Sequence, residues 1–399
     1  MSPTAVTFKP NDTIMRLMRE SGGGVFVIVL ALTSIFVLAL FDLRAEKIFT
    51  LAPTIQEASK EDLVAFWRAA HLAIEGAAAS AYDADIFRAP LEENNRGLLW
   101  LNPPHMLLLV GPLALLPYGV AKLIWIALSV ISLGLIARLT KASPMLLVAI
   151  FLSPALFASL LVLQSGPMIA LGLLAALLIS DRRPILAGLI FAFLTVKPQY
   201  GFLIPVFLVA RGEWRTILYT VLFSAALFAV STLAFGIDAW SAFFLSATGD
   251  TFAGHAERLH RDMLTLHQTI GKFGGGLMLR QGAQLIAMIG AGVIVYFAAK
   301  NWKRDAAIAT TLLLAAIASP SLWVYDWPMI AAGLFMLARA MPHWPAHIQL
   351  AAGALWITPL ISLGFGTMQS AAIAGALAMG ATVSVMIWMS SVHASTANN

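Results

Sequence analysis

The chain has 399 residues, of which 60% are hydrophobic and only 11% are charged. With a mean hydropathy of +0.84, it has too few charges to cover the surface of a soluble domain, where about 25% of residues are charged. The absence of cysteine excludes disulfides and thiolate chemistry, and the net charge of +5 fits a membrane orientation signal better than a nucleic-acid footprint. We therefore predict an all-α polytopic membrane protein, folded as a single integral membrane domain over residues 1–399.

The N-terminal segment is polar and basic, with Lys9, Arg16 and Arg19 before the first apolar run at residues 25–41. Because positively charged flanks stay in the cytoplasm, this run crosses outward and residues 42–104 form a first outer loop. Within the loop, residues 61–74 place apolar side chains on one face at helical spacing. We expect an amphipathic helix lying at the outer interface, with Asp62 in its first turn.

Beyond the loop, the chain alternates between apolar segments and short polar turns. A short run at 106–116 is re-entrant or interfacial, and residues 236–284 form a second outer loop. The remaining apolar segments are 118–137, 145–163, 168–179, 185–195, 202–209, 217–235, 285–299, 306–318, 328–337, 348–363 and 371–389. This pattern predicts roughly 12 membrane spans with both chain ends inside, although several segments are shorter than the ~20 residues that a span needs.

The polar turns sort by charge. Most turns rich in Lys and Arg fall inside, whereas another set of polar residues falls outside together. That outer set contains Asp62, Asn102, Gln164, Lys197 and Asp326, along with the histidines of the second outer loop. The pattern therefore predicts a polar site at the outer face.

Lys197 stands out because it follows an apolar segment and precedes Pro198 and Gln199. An ionisable residue at membrane depth is costly and usually faces a cavity or a partner. A cation at this depth suits a phosphate. The alternative is a lysine whose ammonium group reaches the outer interface, but its outside position against the positive-inside bias favours a function.

The acidic candidates have structural alternatives. Asp62 is a candidate general base, since an apolar environment raises the basicity of a carboxylate, but Asp also favours helix N-caps. Asp326 follows Tyr325 at a span end and could pair with Lys197 or a histidine, or coordinate a cation. Gln164 and Asn102 could bind sugar hydroxyls or merely close turns.

His255, His260 and His267 lack a convincing zinc spacing, so we assign no metal. His267 could instead donate to phosphate oxygens, while His255 and His260 fit a solvated loop.

Four segments together resemble glycosyltransferase family 87, in chain order. They are the helix after Asp62 with Tyr82, the Asn102-Pro-Pro segment running to Pro117, the Lys197-Pro-Gln199 turn, and the turn from Ser319 to Asp326. Some members carry a histidine pair after the late Ser-Pro turn, where this chain has Tyr325 and Asp326.

The resemblance implies a GT-C-type fold in the bacterial cytoplasmic (inner) membrane, with the active site facing outside. It implies transfer of a hexose, such as mannose, from a polyprenyl-phosphate donor to a lipid or glycan acceptor, with inversion at the anomeric carbon and no cofactor. Asp62 would be the base and Lys197 would hold the donor phosphate, with Arg68 and His267 as further cations. Candidate substrate-binding residues are Asn102, Gln164, Gln199, Tyr325 and Asp326.

Two other classes of function compete with the enzyme. A secondary transporter of about twelve helices would show internal repeats and ionisable residues at the midplane, whereas no repeat is clear here and the candidates lie at outer span ends. An assembly protein that binds partners through its outer loops would explain the loops but not Lys197.

Overall fold

The structure is a computed structural model that describes residues 23–52, 54–55, 58, 61–91, 97–248, 263–364 and 368–397. These residues form α-helices joined by turns and short 3-10 helices. The α-helices are α1 Gly24–Phe49, α2 Leu63–Ile74, α3 Ala84–Arg88, α4 Met106–Val110, α5 Tyr118–Leu139, α6 Pro144–Phe151, α7 Pro154–Val162, α8 Gly166–Ile179, α9 Pro184–Leu194, α10 Leu203–Ala210, α11 Trp214–Phe235, α12 Ile237–Thr248, α13 Leu266–Lys272, α14 Leu277–Asn301, α15 Arg304–Ala318, α16 Pro328–Ala340, α17 Ala346–Gly364 and α18 Met368–Ala397. The 3-10 helices are Ala78–Tyr82, Gly111–Leu115, Pro198–Tyr200 and Val324–Asp326.

Seven of these helical segments are long and apolar enough to cross a membrane, counted over the described ranges. They are Gly24–Phe49, Tyr118–Leu139, Pro144–Val162, Trp214–Phe235, Leu277–Asn301, Ala346–Gly364 and Gln369–Ser395. The chain is therefore a multi-pass membrane protein, as its composition predicts. Other predicted spans are shorter helices, such as α9 with 11 residues and α10 with 8, and the total of twelve stays a prediction.

Helix boundaries differ from the predicted ones in three places. Helix α1 continues past Asp42 to Phe49 because residues 43–47 include good helix formers. The apolar run 106–116 is divided between α4 and a 3-10 helix that has Pro112 near its start. The predicted second outer loop holds α12, α13 and the start of α14, while His255 and His260 lie outside the described residues.

Ion pairs and hydrogen bonds gather the basic turns at one end of the helices. Arg304 lies 2.6 Å from a carboxylate oxygen of Glu213. Arg339 lies 2.9 Å from a carboxylate oxygen of Asp305 and donates to the carbonyl oxygen of Leu139. These contacts join the ends of α5, α15 and α16 and the turn before α11. We call this the basic end, and the opposite end, which carries Asp62 and Lys197, the site end.

The helices differ sharply in burial. Helix α16 is buried from Pro328 to Ala338 and packs against α7, α8 and α15. In contrast, only 6% of the residues in the most apolar 18-residue stretch of α11 are buried. Since α11 has mostly apolar residues and few protein neighbours, its outer surface suits contact with lipid chains.

Helix α11 is attached to α9 at a close crossing. Gly188 of α9 lies against Tyr219 and Thr220, and a Cβ atom built on it would lie 2.6 Å from the Cβ of Tyr219. The same Cβ would lie 2.8 Å from the backbone nitrogen of Thr220. Small residues allow membrane helices to approach this closely.

We predict that Gly188→Ala destabilises the protein, because the added methyl group must separate the two helices. Overpacking of this kind costs about 1–3 kcal/mol, so the thermal midpoint in detergent should fall measurably. Gly290→Ala is the matched control, since no atom lies within 4 Å of a Cβ at that helical position. Equal midpoints for the two variants would contradict the close crossing.

Candidate active site

Asp62 lies at the start of α2, where two contacts from the end of α7 hold it. Its backbone N–H donates to the carbonyl oxygen of Val162 at 2.7 Å. The Gln164 side-chain amide donates to the Asp62 carboxylate at 2.9 Å. Although Asp62 occupies the N-cap position, its side chain makes no capping hydrogen bond, so the simple cap alternative does not account for the carboxylate.

Gln164 is itself oriented by the next residue. Its side-chain oxygen accepts from the backbone N–H of Ser165 at 2.9 Å and from the Ser165 hydroxyl at 3.1 Å. Because the oxygen faces these two donors, the amide NH₂ group points at Asp62. The turn between α7 and α8 therefore fixes the direction of the Asp62 carboxylate.

The late turn before α16 packs directly on this turn. The Ser159 hydroxyl donates to the carbonyl oxygen of Tyr325 at 3.2 Å. The same carbonyl lies so close to Gly166 that an added Cβ would be 1.7 Å from its oxygen. Only glycine permits this approach, which brings Tyr325 and Asp326 next to the residues that hold Asp62.

Lys197 and Asp326 form a buried ion pair within the same cluster. The ammonium nitrogen lies 3.3 Å from one carboxylate oxygen, and the two side chains are 9% and 3% exposed. The second carboxylate oxygen accepts from the backbone N–H of Trp323 at 3.1 Å. The Lys197 ammonium also lies 4.9 Å from the centre of the Tyr325 ring, a distance typical of a cation–π contact.

Tyr325 connects the two acidic residues electrostatically. Desolvation raises the pKa of its phenol, and the negative charges of Asp326 and Asp62 raise it further. Both carboxylates therefore act on one side chain. Asp62, Gln164, Lys197, Tyr325 and Asp326, which the sequence places at one face, lie together at the site end, and we call them the polar cluster.

A buried ion pair at the residue before Asp62 was not predicted from the sequence. Glu61 lies 2.6 Å from the Lys122 ammonium, and each side chain is 2% exposed. The Tyr118 hydroxyl donates to the other Glu61 oxygen at 2.7 Å. Lys122 also donates to the carbonyl oxygens of Lys47 and Thr50 at 3.2 and 3.0 Å, so this network ties the residue before Asp62 to α1 and α5.

His105 is a second residue that the sequence analysis missed. It is buried after the Pro103-Pro104 pair, stacks on Trp240 and lies 3.1 Å from the Thr195 hydroxyl. Burial lowers the pKa of His105 to about 4, so the imidazole is neutral at physiological pH. Its contact with Thr195 supports the turn that carries Lys197.

Arg68 lies in a separate pocket on α2. It lines a cavity of about 300 Å³ together with Trp67, His71, Glu75 and Tyr118, and it donates to the carbonyl oxygen of Ile86. The Nε atom of Arg68 and the Nε2 atom of His71 are buried without hydrogen-bond partners. Tyr118 lines this cavity too, and its hydroxyl donates to Glu61, the residue before Asp62.

The other predicted site residues have diverse surroundings. His267 contacts Arg280 at 3.3 Å, and its backbone N–H donates to Gln284, whose amide reaches the carbonyl oxygens of Ala318 and Ser319. Asn102 accepts from the Tyr82 hydroxyl through its backbone oxygen at 2.8 Å. Gln199 is half-buried in the 3-10 helix after Lys197.

The fold and this cluster define an integral membrane protein with a polar site at one end of its helices. A sequence profile of glycosyltransferase family 87 matches residues 100–322, which is more than half of the chain, and the protein belongs to that family. It is therefore a membrane glycosyltransferase. The match includes Gln164, Lys197 and His267, whereas Asp62 and Asp326 lie outside it. Comparison with curated proteins and with solved structures found no match.

We predict that Glu61→Gln strongly destabilises the fold, because it leaves the Lys122 ammonium buried without its counter-charge. Breaking a buried pair on one side costs about 3–5 kcal/mol. Glu61→Gln combined with Lys122→Met removes both charges and should recover much of that loss. Thermal unfolding of the two single variants and the double variant measures the coupling, and strictly additive losses would contradict it.

Proposed function

We propose that the protein transfers a hexose from a polyprenyl-phosphate donor to a lipid or glycan hydroxyl, with inversion at the anomeric carbon. The observation that carries this proposal is the polar cluster, in which a carboxylate held by an amide lies near a buried lysine. Such a pair suits one proton acceptor and one cation for a leaving phosphate. The family assignment supports the transfer of a sugar.

Asp62 serves as the general base in this proposal. The acceptor oxygen attacks the anomeric carbon of the donor while its proton passes to the Asp62 carboxylate. The bond between the anomeric carbon and the phosphate oxygen breaks, and its electron pair leaves with the polyprenyl phosphate. Gln164 holds the carboxylate in place, so its orientation is set before the acceptor binds.

Lys197 serves as the cation for the donor phosphate. Asp326 holds the ammonium at 3.3 Å, which offsets the cost of a buried charge. A phosphate brings the negative charge that accumulates as the bond to the sugar breaks, and the ammonium stabilises it. Gln199, two residues after Lys197, and Tyr325, next to Asp326, are the residues that we assign to the sugar or its phosphate.

The cavity beside α2 is the proposed acceptor site. An indole, a guanidinium, an imidazole and a carboxylate surround it, and two of their nitrogens are buried without partners. Sugar hydroxyls supply hydrogen bonds of the kind these groups need. We therefore assign Arg68 to acceptor binding in preference to the donor-phosphate role expected from the sequence.

The site end faces outward in this proposal, from the cytoplasmic membrane of a bacterium. The basic turns at the opposite end support this orientation, because positively charged turns stay in the cytoplasm. The polyprenyl chain of the donor would lie in the membrane beside the polar cluster.

We predict that Asp62→Asn lowers sugar transfer by about 10²–10⁴-fold, the usual contribution of a general base. The measurement is release of polyprenyl phosphate by purified protein in nanodiscs, supplied with a panel of polyprenyl-phosphate sugars and candidate acceptors. Donor binding should persist, because the carboxamide has nearly the same shape.

Asp85→Asn is the matched control, since this exposed carboxylate belongs to the same loop. Its transfer rate should equal that of the wild type. Wild-type rates for Asp62→Asn would overturn the base assignment. Donors that bind but never turn over with any acceptor would favour the transporter.

We predict that Lys197→Met weakens donor use by about 10²–10³-fold in kcat/KM, the loss typical when one donor to a developing charge is removed. Since this variant also leaves Asp326 unpaired, Lys197→Met combined with Asp326→Asn serves as the folding control. The double variant should regain thermal stability but not transfer. Recovery of transfer in the double variant would show that Lys197 acts on stability alone.

A further inference from the structure

A groove at the basic end lies between the beginnings of α9 and α11, far along the helices from the polar cluster. It encloses about 530 Å³, and its lining includes Arg182, Arg183, Leu186, Arg215 and Tyr219. Helices α9 and α11 run in the same direction through the protein, and both begin at the basic end. We call it the arginine groove.

The charge around the arginine groove is strongly positive. Two carboxylates are nearby, and cations of the basic end hold both. Glu213 lies 2.6 Å from Arg304 and 3.4 Å from Arg211, and Asp181 lies 3.7 Å from both Arg182 and Arg304. Arg183 and Arg215 form no ion pair with any residue that the structure describes, so five arginines face two carboxylates.

The floor of the groove is apolar. Ile185, Leu186 and Leu189 continue from the arginines along α9, and Ile185 and Leu186 are exposed. The close crossing at Gly188 brings Tyr219 against α9 and closes the groove toward the membrane centre. A ligand here meets guanidinium groups at one end and an apolar surface at the other.

We propose that the arginine groove binds the headgroup of an anionic phospholipid. Guanidinium groups bind phosphate oxygens in pairs, and basic pockets between membrane helices at the cytoplasmic side suit such headgroups. A positive-inside signal requires only that positive charges lie at this end of the helices. Here Arg182, Arg183 and Arg215 surround one concavity with an apolar floor. A free phosphate would leave that floor exposed, which favours the lipid.

The test is a titration of the detergent-solubilised protein with phosphatidylglycerol or phosphatidylcholine, followed by native mass spectrometry. Wild-type protein should bind phosphatidylglycerol selectively. Arg183→Gln combined with Arg215→Gln should weaken that binding roughly thirtyfold, as expected for the loss of two cations near a membrane surface. Both side chains are exposed, so the fold should persist, which the thermal midpoint checks.

Lys141→Gln combined with Lys303→Gln is the matched control, because it removes the same charge from the basic end without touching the groove. An equal loss of binding in this control would overturn the site in favour of general charge attraction. Equal binding of the two lipids by the wild type would also overturn it. Competition by inorganic phosphate and glycerol phosphate distinguishes a lipid headgroup from a free phosphate as the ligand. Displacement of the lipid by either phosphate at comparable concentrations would assign the groove to a free phosphate.

Discussion

The ion pair between Glu61 and Lys122 is the contact on which the arrangement of the site end depends. It buries two full charges at 2.6 Å, and such a pair is stable only when hydrogen bonds satisfy the remaining atoms. Tyr118 and two carbonyl oxygens at the end of α1 provide them. The network thereby joins α1, α5 and the start of α2, and it fixes the residue that precedes the proposed base.

From that anchor, the polar cluster is built by short contacts between turns. The turn after α7 orients Asp62 through Gln164, and the late turn with Tyr325 rests on Gly166. The late turn then places Asp326 against Lys197. These contacts join residues of different turns, so the described helices build a defined polar site at one of their ends.

Much of this organisation could be predicted from the sequence. Hydropathy identifies the apolar segments that are long enough to span a membrane. The alternation of charged turns along the sequence predicted that Asp62, Gln164, Lys197 and Asp326 lie at one end. The short apolar segments 185–195 and 202–209 form helices α9 and α10 within one residue of the predicted bounds, whereas the run 106–116 is divided because Pro112 lies near the start of a 3-10 helix. The role proposed for Arg68 differs from the one expected from the sequence because a helix turns successive residues to different faces, and the sequence did not show which face met the cavity.

Glu61 and Lys122 escaped prediction for a physical reason. An acid in a polar loop and a lysine near a helix start both look like solvated charges, since burial depends on contacts between residues 61 positions apart in the chain. His105 was not predicted for the same reason, because its partners Thr195 and Trp240 are distant from it in the chain.

The contact between Gly166 and the Tyr325 carbonyl also bears on how the protein is made. The hydrogen bonds of the cluster connect residues separated by 102, 129 and 166 positions. Contacts of such long range form late, after the intervening helices have been synthesised and inserted. A nascent chain that stops before Tyr325 therefore holds five of the seven long apolar helices but lacks two members of the polar cluster, which is complete only when translation has passed the turn before α16.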